Sequence, residues 1–171
     1  MGHAYLYIKD DNGTESLLDD IWYKTEYNVP EGTKLNEVKS KAKVTFYTIS
    51  NDEMIADLSR KYISETLKIN QTSKSLTVGV GGVQYVPIKG DFSASLELAQ
   101  KYNGTDYGGY NLFDNNCLHY AKEILRTGTA ENQNVENFLN TSDEFIPDSF
   151  YYSLCHVRQT ISYPPNIVVS L

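Results

Sequence analysis

Residues 110–128, YNLFDNNCLHYAKEILRTG, constrain this chain more than any other stretch, because their apolar positions recur at helical spacing and a cysteine stands where the helix begins. At about 100° per residue, Cys117, Tyr120, Ala121, Ile124 and Leu125 share one arc, and His119, Lys122, Glu123 and Arg126 fall opposite. Asn116 is positioned to cap the first turn, and Gly128 stands where a left-handed residue commonly ends a helix. A thiol in the first turn meets the positive end of the helix dipole and amides with no intrahelical acceptor. Both favour a thiolate, and the same amides suit an oxyanion. A small buried hydrophobe would occupy the position equally well, so the remaining residues must decide.

The chain has 171 residues, enough for one domain with a core that needs neither disulfide nor metal. A formal charge of -7 argues against nucleic acid and anionic membrane as partners. Stable membrane insertion is not expected, since no apolar run reaches spanning length and no signal peptide precedes the first strand-like residues. That abrupt start suggests a single domain, 1–171, excised from a longer protein. The 14 tyrosines suggest an aromatic surface or cleft. Cys117 and Cys155 could form one bridge but no disulfide framework.

Residues 3–8 alternate, with His3, Tyr5 and Tyr7 on one face and Ala4, Leu6 and Ile8 on the other. A turn near Asp11 and Asn12 would return the chain through residues 17–23 as a hairpin and set His3 opposite Asp20 or Ile21. Further on, the pattern predicts a strand at 43–49, a helix at 52–67 behind a Ser50 and Glu53 capping box, and a hairpin of strands 76–80 and 83–88. It then predicts a helix at 92–102 capped by Asp91, a short helix at 135–139, and a helix from Pro147 through Cys155. The last residues are extended and suit an edge strand. This order gives an α+β fold in which helices pack on an antiparallel sheet.

A catalytic thiol needs a base in hydrogen-bond reach and a third group to orient that base. His119 lies about 200° around the helix from Cys117 and cannot face the same atom, which leaves it a surface or supporting role. His3 is preferred if the cysteine helix covers its strand face. His156 is a more distant rival, and a local pair with Cys155 is unfavourable because helical neighbours diverge by about 100°. Asp20 is the best placed orienting carboxylate, with Asp19 and Glu15 behind it. No CxxC or HExxH spacing points to a metal, and VGVGG at 78–82 lacks the lysine of a phosphate loop, so no cofactor is expected.

Gly2, His3, Ala4 and Tyr5 together with Asn116, Cys117, Leu118, His119 and Tyr120 resemble the permuted NlpC-type papain-like superfamily, which includes the lecithin retinol acyltransferase family. In that superfamily a histidine on an early strand precedes a cysteine at a helix start. The acyltransferase branch carries Asn-Cys-Glu-His-Phe, matched here at Asn116, Cys117 and His119, with Leu118 in place of the acid and Tyr120 in place of the phenylalanine. IKGDFS at 88–93 followed by YNLFDNNC at 110–117 also resembles C-terminal domains of bacterial Rhs-type polymorphic toxins.

The resemblance implies a cysteine hydrolase, a peptidase or amidase, with Cys117 as nucleophile, His3 as base and then acid, and Asp20 orienting His3. Asn116, His119 and Tyr110 would surround the thiol and its oxyanion. The substrate would be a peptide, a peptidoglycan crosslink or a lipid acyl group, the last by acyltransferase or phospholipase action. The toxin likeness further implies secretion or delivery into a target cell as part of a larger protein, and an immunity protein as partner. A non-catalytic, tyrosine-rich binding module is the alternative of a different class.

Overall fold

A computed structural model describes residues 3–10, 20–60, 63–68, 75–80, 82–157 and 167–170. The fold is mixed α+β. Its strands are β1 (Tyr5–Asp10), β2 (Ile21–Asn28), β3 (Lys43–Ile49), β4 (Ile63–Lys68), β5 (Ser75–Val80), β6 (Tyr85–Ile88), β7 (Gly90–Asp91), β8 (Thr129–Ala130) and β9 (Ile167–Ser170). The helices are α1 (Val38–Lys41), α2 (Asn51–Leu58), α3 (Ser93–Tyr102), α4 (Cys117–Thr127), α5 (Gln133–Thr141) and α6 (Pro147–His156). Five strands form one antiparallel sheet in the order β3-β2-β1-β9-β6, while β4 pairs with β5 and β7 with β8.

The alternation of the first strand sorts its side chains as the sequence suggests. Ala4, Leu6 and Ile8 enter the main core with Leu118, Ala121, Ile124 and Leu125 of α4. Tyr5 and Tyr7 pack on the opposite face against Trp22, Met54 and Val168. The cysteine helix therefore covers the Ala4 face and not the His3 face, contrary to expectation. On β1 this side carries only apolar side chains, whereas each tyrosine on the other face needs a partner for its hydroxyl.

Several sequence-based assignments change. The β1 and β2 ladder sets Tyr5 opposite Glu26 and Asp10 opposite Ile21, so the hairpin connection is longer than a tight turn and Asp20 moves to the far end of the pair from His3. The expected turn at Asp11 and Asn12 lies outside the described residues. The Ser50 and Glu53 capping box forms as expected, but α2 stops at Leu58, and residues 63–68 pair with 75–80 as strands. The expected partner of 75–80, the strand at 85–88, instead pairs with β9. That C-terminal strand is no edge: it lies between β1 and β6, and all four of its residues are buried.

Asn116 caps α4, accepting from the Leu118 and His119 amides at 2.9 and 3.2 Å. Gly128 follows the helix with φ -89°, an extended conformation and not the expected left-handed one. Its lack of a side chain serves packing: a Cβ there would meet the buried Phe92 ring and lie 2.8 Å from Ser95 Oγ. Ser95 Oγ itself donates to the Ile124 carbonyl at 2.7 Å, so α3 crosses α4 at this point. Gly128→Ala should lower stability by about 1–3 kcal/mol through overpacking. A urea unfolding midpoint equal to that of the parent chain would refute this account.

Candidate active site

The first residues of the sheet meet the first turn of α4. The Ala4 amide donates to Cys117 Sγ at 3.4 Å, and the thiol is buried at 3% exposure. His3 precedes β1, is half-buried, and hydrogen-bonds the Cys117 thiol. Its Nε2 lies 2.8 Å from Glu26 Oε2, which leaves Nδ1 for the thiol. Because Tyr5 stands opposite Glu26, His3 is the diagonal neighbour of Glu26 on one sheet face, a separation that long side chains span. The Tyr5 ring stacks on the imidazole with centroids 5.9 Å apart.

The electrostatics of the pair follow from these contacts. Burial alone would lower the His3 imidazole, but hydrogen bonds to Cys117 and then Glu26, with the charges of both, raise it to about 9. Burial would raise the Cys117 thiol, yet the His3 hydrogen bond and charge, the Ala4 amide and the Tyr110 hydroxyl together bring it below its ordinary value. Tyr110 is pushed to about 12 by burial and by the Cys117 charge, so it stays a donor toward the sulfur. Burial also opposes ionisation of Glu26, and the His3 hydrogen bond with the Lys24 charge holds that carboxyl below its usual range. Cys117, His3 and Glu26 thus form one largely buried contact that favours thiolate over thiol and imidazolium over imidazole.

The structure brings together Cys117, His3, Asn116 and Tyr110 of the residues singled out in the sequence. It separates Asp20 from them. Asp20 pairs with Lys9 at 3.2 Å, both side chains nearly buried, at the end of β1 that lies roughly 20 Å from His3 at about 3.3 Å per strand residue. The orienting carboxylate is Glu26. The second arm of the hairpin runs past the expected end at Tyr23, so that Trp22, Lys24 and Glu26 alternate with Tyr23, Thr25 and Tyr27 along one longer strand. Asp19 and Glu15 lie outside the described residues.

His119 belongs to the cap: its Nδ1 lies 2.9 Å from Asn116 Oδ1, and its ring rests on Phe145. Burial, then the charges of Lys122 and Arg126, keep that imidazole below its ordinary value. His156 is exposed at the end of α6 with Nδ1 2.5 Å from the Tyr152 carbonyl oxygen, away from the thiol. Cys155 is exposed, and both cysteines are free.

Tyr27 and Tyr120, both buried, pack ring against ring with the partly buried Tyr102, Tyr107 and Tyr110. Beside Cys117 opens a cleft of about 580 Å³, walled by Leu112 and Phe113 from the loop before α4 and by Phe145, Ile146 and Pro147 from the segment before α6. Among the described residues no cluster of histidine, cysteine and acidic groups could hold a metal ion, and no helix is long and apolar enough to cross a membrane.

No family model, curated protein or solved structure matches this chain.

The ion pair exists at pH values above the lowered Cys117 value and below about 9, where His3 gives up its proton. Iodoacetamide should therefore alkylate Cys117 rapidly at pH 7, with the rate rising at a pH lower than for a free thiol. His3→Ala should move that midpoint upward by at least about one unit, Glu26→Gln by less, and Asp20→Asn not at all. Equal midpoints for His3→Ala and the parent chain would remove the basis for the pair.

Proposed function

We propose that this chain is a permuted papain-like domain of the NlpC type acting as a cysteine hydrolase, a peptidase or amidase, with Cys117 as the nucleophile at the start of α4. The observation that carries this reading is the buried contact of Cys117 with His3, itself bonded to Glu26 at 2.8 Å. The order of histidine strand before cysteine helix matches the resemblance, and a carboxylate takes the third place.

The thiolate attacks the substrate carbonyl, forming the carbon–sulfur bond as the π electrons move to oxygen. The cap already engages the Leu118 and His119 amides, so the Cys117 amide is the first-turn donor for that oxyanion. Collapse of the intermediate expels the amine, which takes the proton held on His3, and leaves a thioester. His3, now neutral, removes a proton from water as it attacks the thioester. The carboxylic acid departs, Cys117 returns to thiolate, and His3 regains its proton. Glu26 keeps the imidazole oriented throughout and stabilises its charged form.

A second reading, acyl transfer or phospholipase action on the same residues, is favoured by one observation: the cleft beside the sulfur is walled by large apolar side chains. The likeness to Rhs-type tails supports delivery into a target cell as the toxic domain of a longer secreted protein, with an immunity protein covering the cleft.

Expression of the parent chain should arrest bacterial growth, and Cys117→Ala and His3→Ala should each abolish the effect, while Asp20→Asn retains it. Loss of the base should lower hydrolysis by roughly 10²–10⁴-fold. Full toxicity in both the Cys117→Ala and His3→Ala variants would discard catalysis in favour of a binding module. Incubation with phosphatidylcholine vesicles followed by intact-mass analysis separates the two hydrolytic readings, since only the second leaves a fatty acyl mass on Cys117 or releases fatty acid.

A further inference from the structure

Of the large apolar side chains that the fold leaves exposed, Phe113 at 78%, Phe145 at 62% and Ile146 at 60% all border the one cleft that holds the Cys117 sulfur. Scattered singly, such residues need no explanation; gathered around a reactive thiol they form a patch with something to bind. The polar lining is sparse. Asn116 is already committed, its oxygen to two helix amides and its Nδ2 to the Leu112 carbonyl at 2.8 Å. An extended peptide laid along this cleft would give up water around its amides for few partners, whereas a hydrocarbon group gives up nothing.

The wall carrying Phe145 and Ile146 is fixed to the same helix as the sulfur. Lys122, on what the helical pattern makes a solvent face, is 6% exposed and donates through Nζ to the Glu144 carbonyl at 2.9 Å. Arg126 donates through Nε to the Leu139 carbonyl and through Nη2 to the Ser142 carbonyl. The His119 ring meets Phe145 with centroids 5.9 Å apart. Successive turns of α4 thus hold the segment 139–145 at three carbonyls and one aromatic contact. The distance from Cys117 to the wall is then a property of one rigid element.

We propose that Phe145 and Ile146 are specificity-determining residues that grip a hydrocarbon group borne by the carbonyl Cys117 attacks, and that Lys122 and Arg126 position this wall. The assignment of that carbonyl rests on the hydrolase reading above, but the grip can be measured without turnover. N-methyl- and N-octyl-iodoacetamide alkylate a thiolate by forming a carbon–sulfur bond and expelling iodide, and intact mass follows both rates.

Each methylene withdrawn from water is worth roughly fourfold, so two of them buried in the cleft should raise the octyl-to-methyl rate ratio about fifteenfold above that of glutathione. Phe145→Ser with Ile146→Ser, both at exposed positions, should return the ratio to the glutathione value. Arg126→Met should lower the ratio at least about threefold through a weaker grip, and Arg126→Lys, which keeps a donor, should recover part of it. A parent ratio equal to that of glutathione, failure of both reagents to label Cys117, or a ratio that survives the double substitution overturns the proposal. Selectivity without any hydrolysis would sink the hydrolase reading alone, and hydrolysis without selectivity would sink this inference alone.

Discussion

The contact of the Ala4 amide with the Cys117 sulfur, 3.4 Å across the boundary between sheet and helix, ties together residues 113 positions apart, and the candidate site depends on it. It sets the end of β1 against the first turn of α4, where the positive end of the helix dipole favours a thiolate. A buried thiolate without a counter-charge would be costly, so the imidazole of His3 is part of the same constraint. His3 in turn requires Glu26, and Glu26 is available because the ladder pairs Tyr5 with it. One long-range contact therefore orders an imidazole, a carboxylate and a thiol drawn from three segments.

The tyrosines hold this arrangement from behind. Buried phenols must place their hydroxyls, and they do so here on fixed acceptors: Tyr27 on the Asp106 carbonyl at 2.6 Å, Tyr102 on Glu123 at 2.8 Å, and Tyr107 also on Glu123. Tyr120 shares a hydrogen bond of 2.6 Å with Thr25 in the sheet. The loop that delivers Tyr110 bends at Tyr107, whose φ of 46° is unusual for a residue with a side chain, and the Asn115 amide bonds the Tyr107 and Gly109 carbonyls at 2.6 and 2.9 Å. That strain is offset by aromatic packing on both sides of the bend. It leaves the Tyr110 hydroxyl directed at the sulfur.

Local pattern was legible where a segment answers to its own periodicity. The helix from Cys117, its Asn116 cap, the alternation of Ala4, Leu6 and Ile8, the Ser50 and Glu53 box and the strand 43–49 all follow from spacing alone. The failures arise where two distant segments compete for one partner. Residues 63–68 carry apolar positions compatible with a helix, and only pairing with 75–80 makes them a strand. Lys122 and Arg126 fall opposite the apolar arc of a helical wheel, which shows one partner face, and the segment 139–145 supplies a second.

The sequence by itself determined the elements that local physics dictates: an α+β alternation, a capped amphipathic helix with a cysteine in its first turn, and the exclusion of His119 as base by its angle around that helix. Only the tertiary structure decided the register of β1 on β2, and with it that Glu26 and not Asp20 meets His3. A strand pattern of period two states which residues share a face but not which positions along a partner they oppose. The same limit applies to β9, whose four residues read as an edge and became an interior strand, because burial on both sides is settled by packing between β1 and β6 and not by the strand itself.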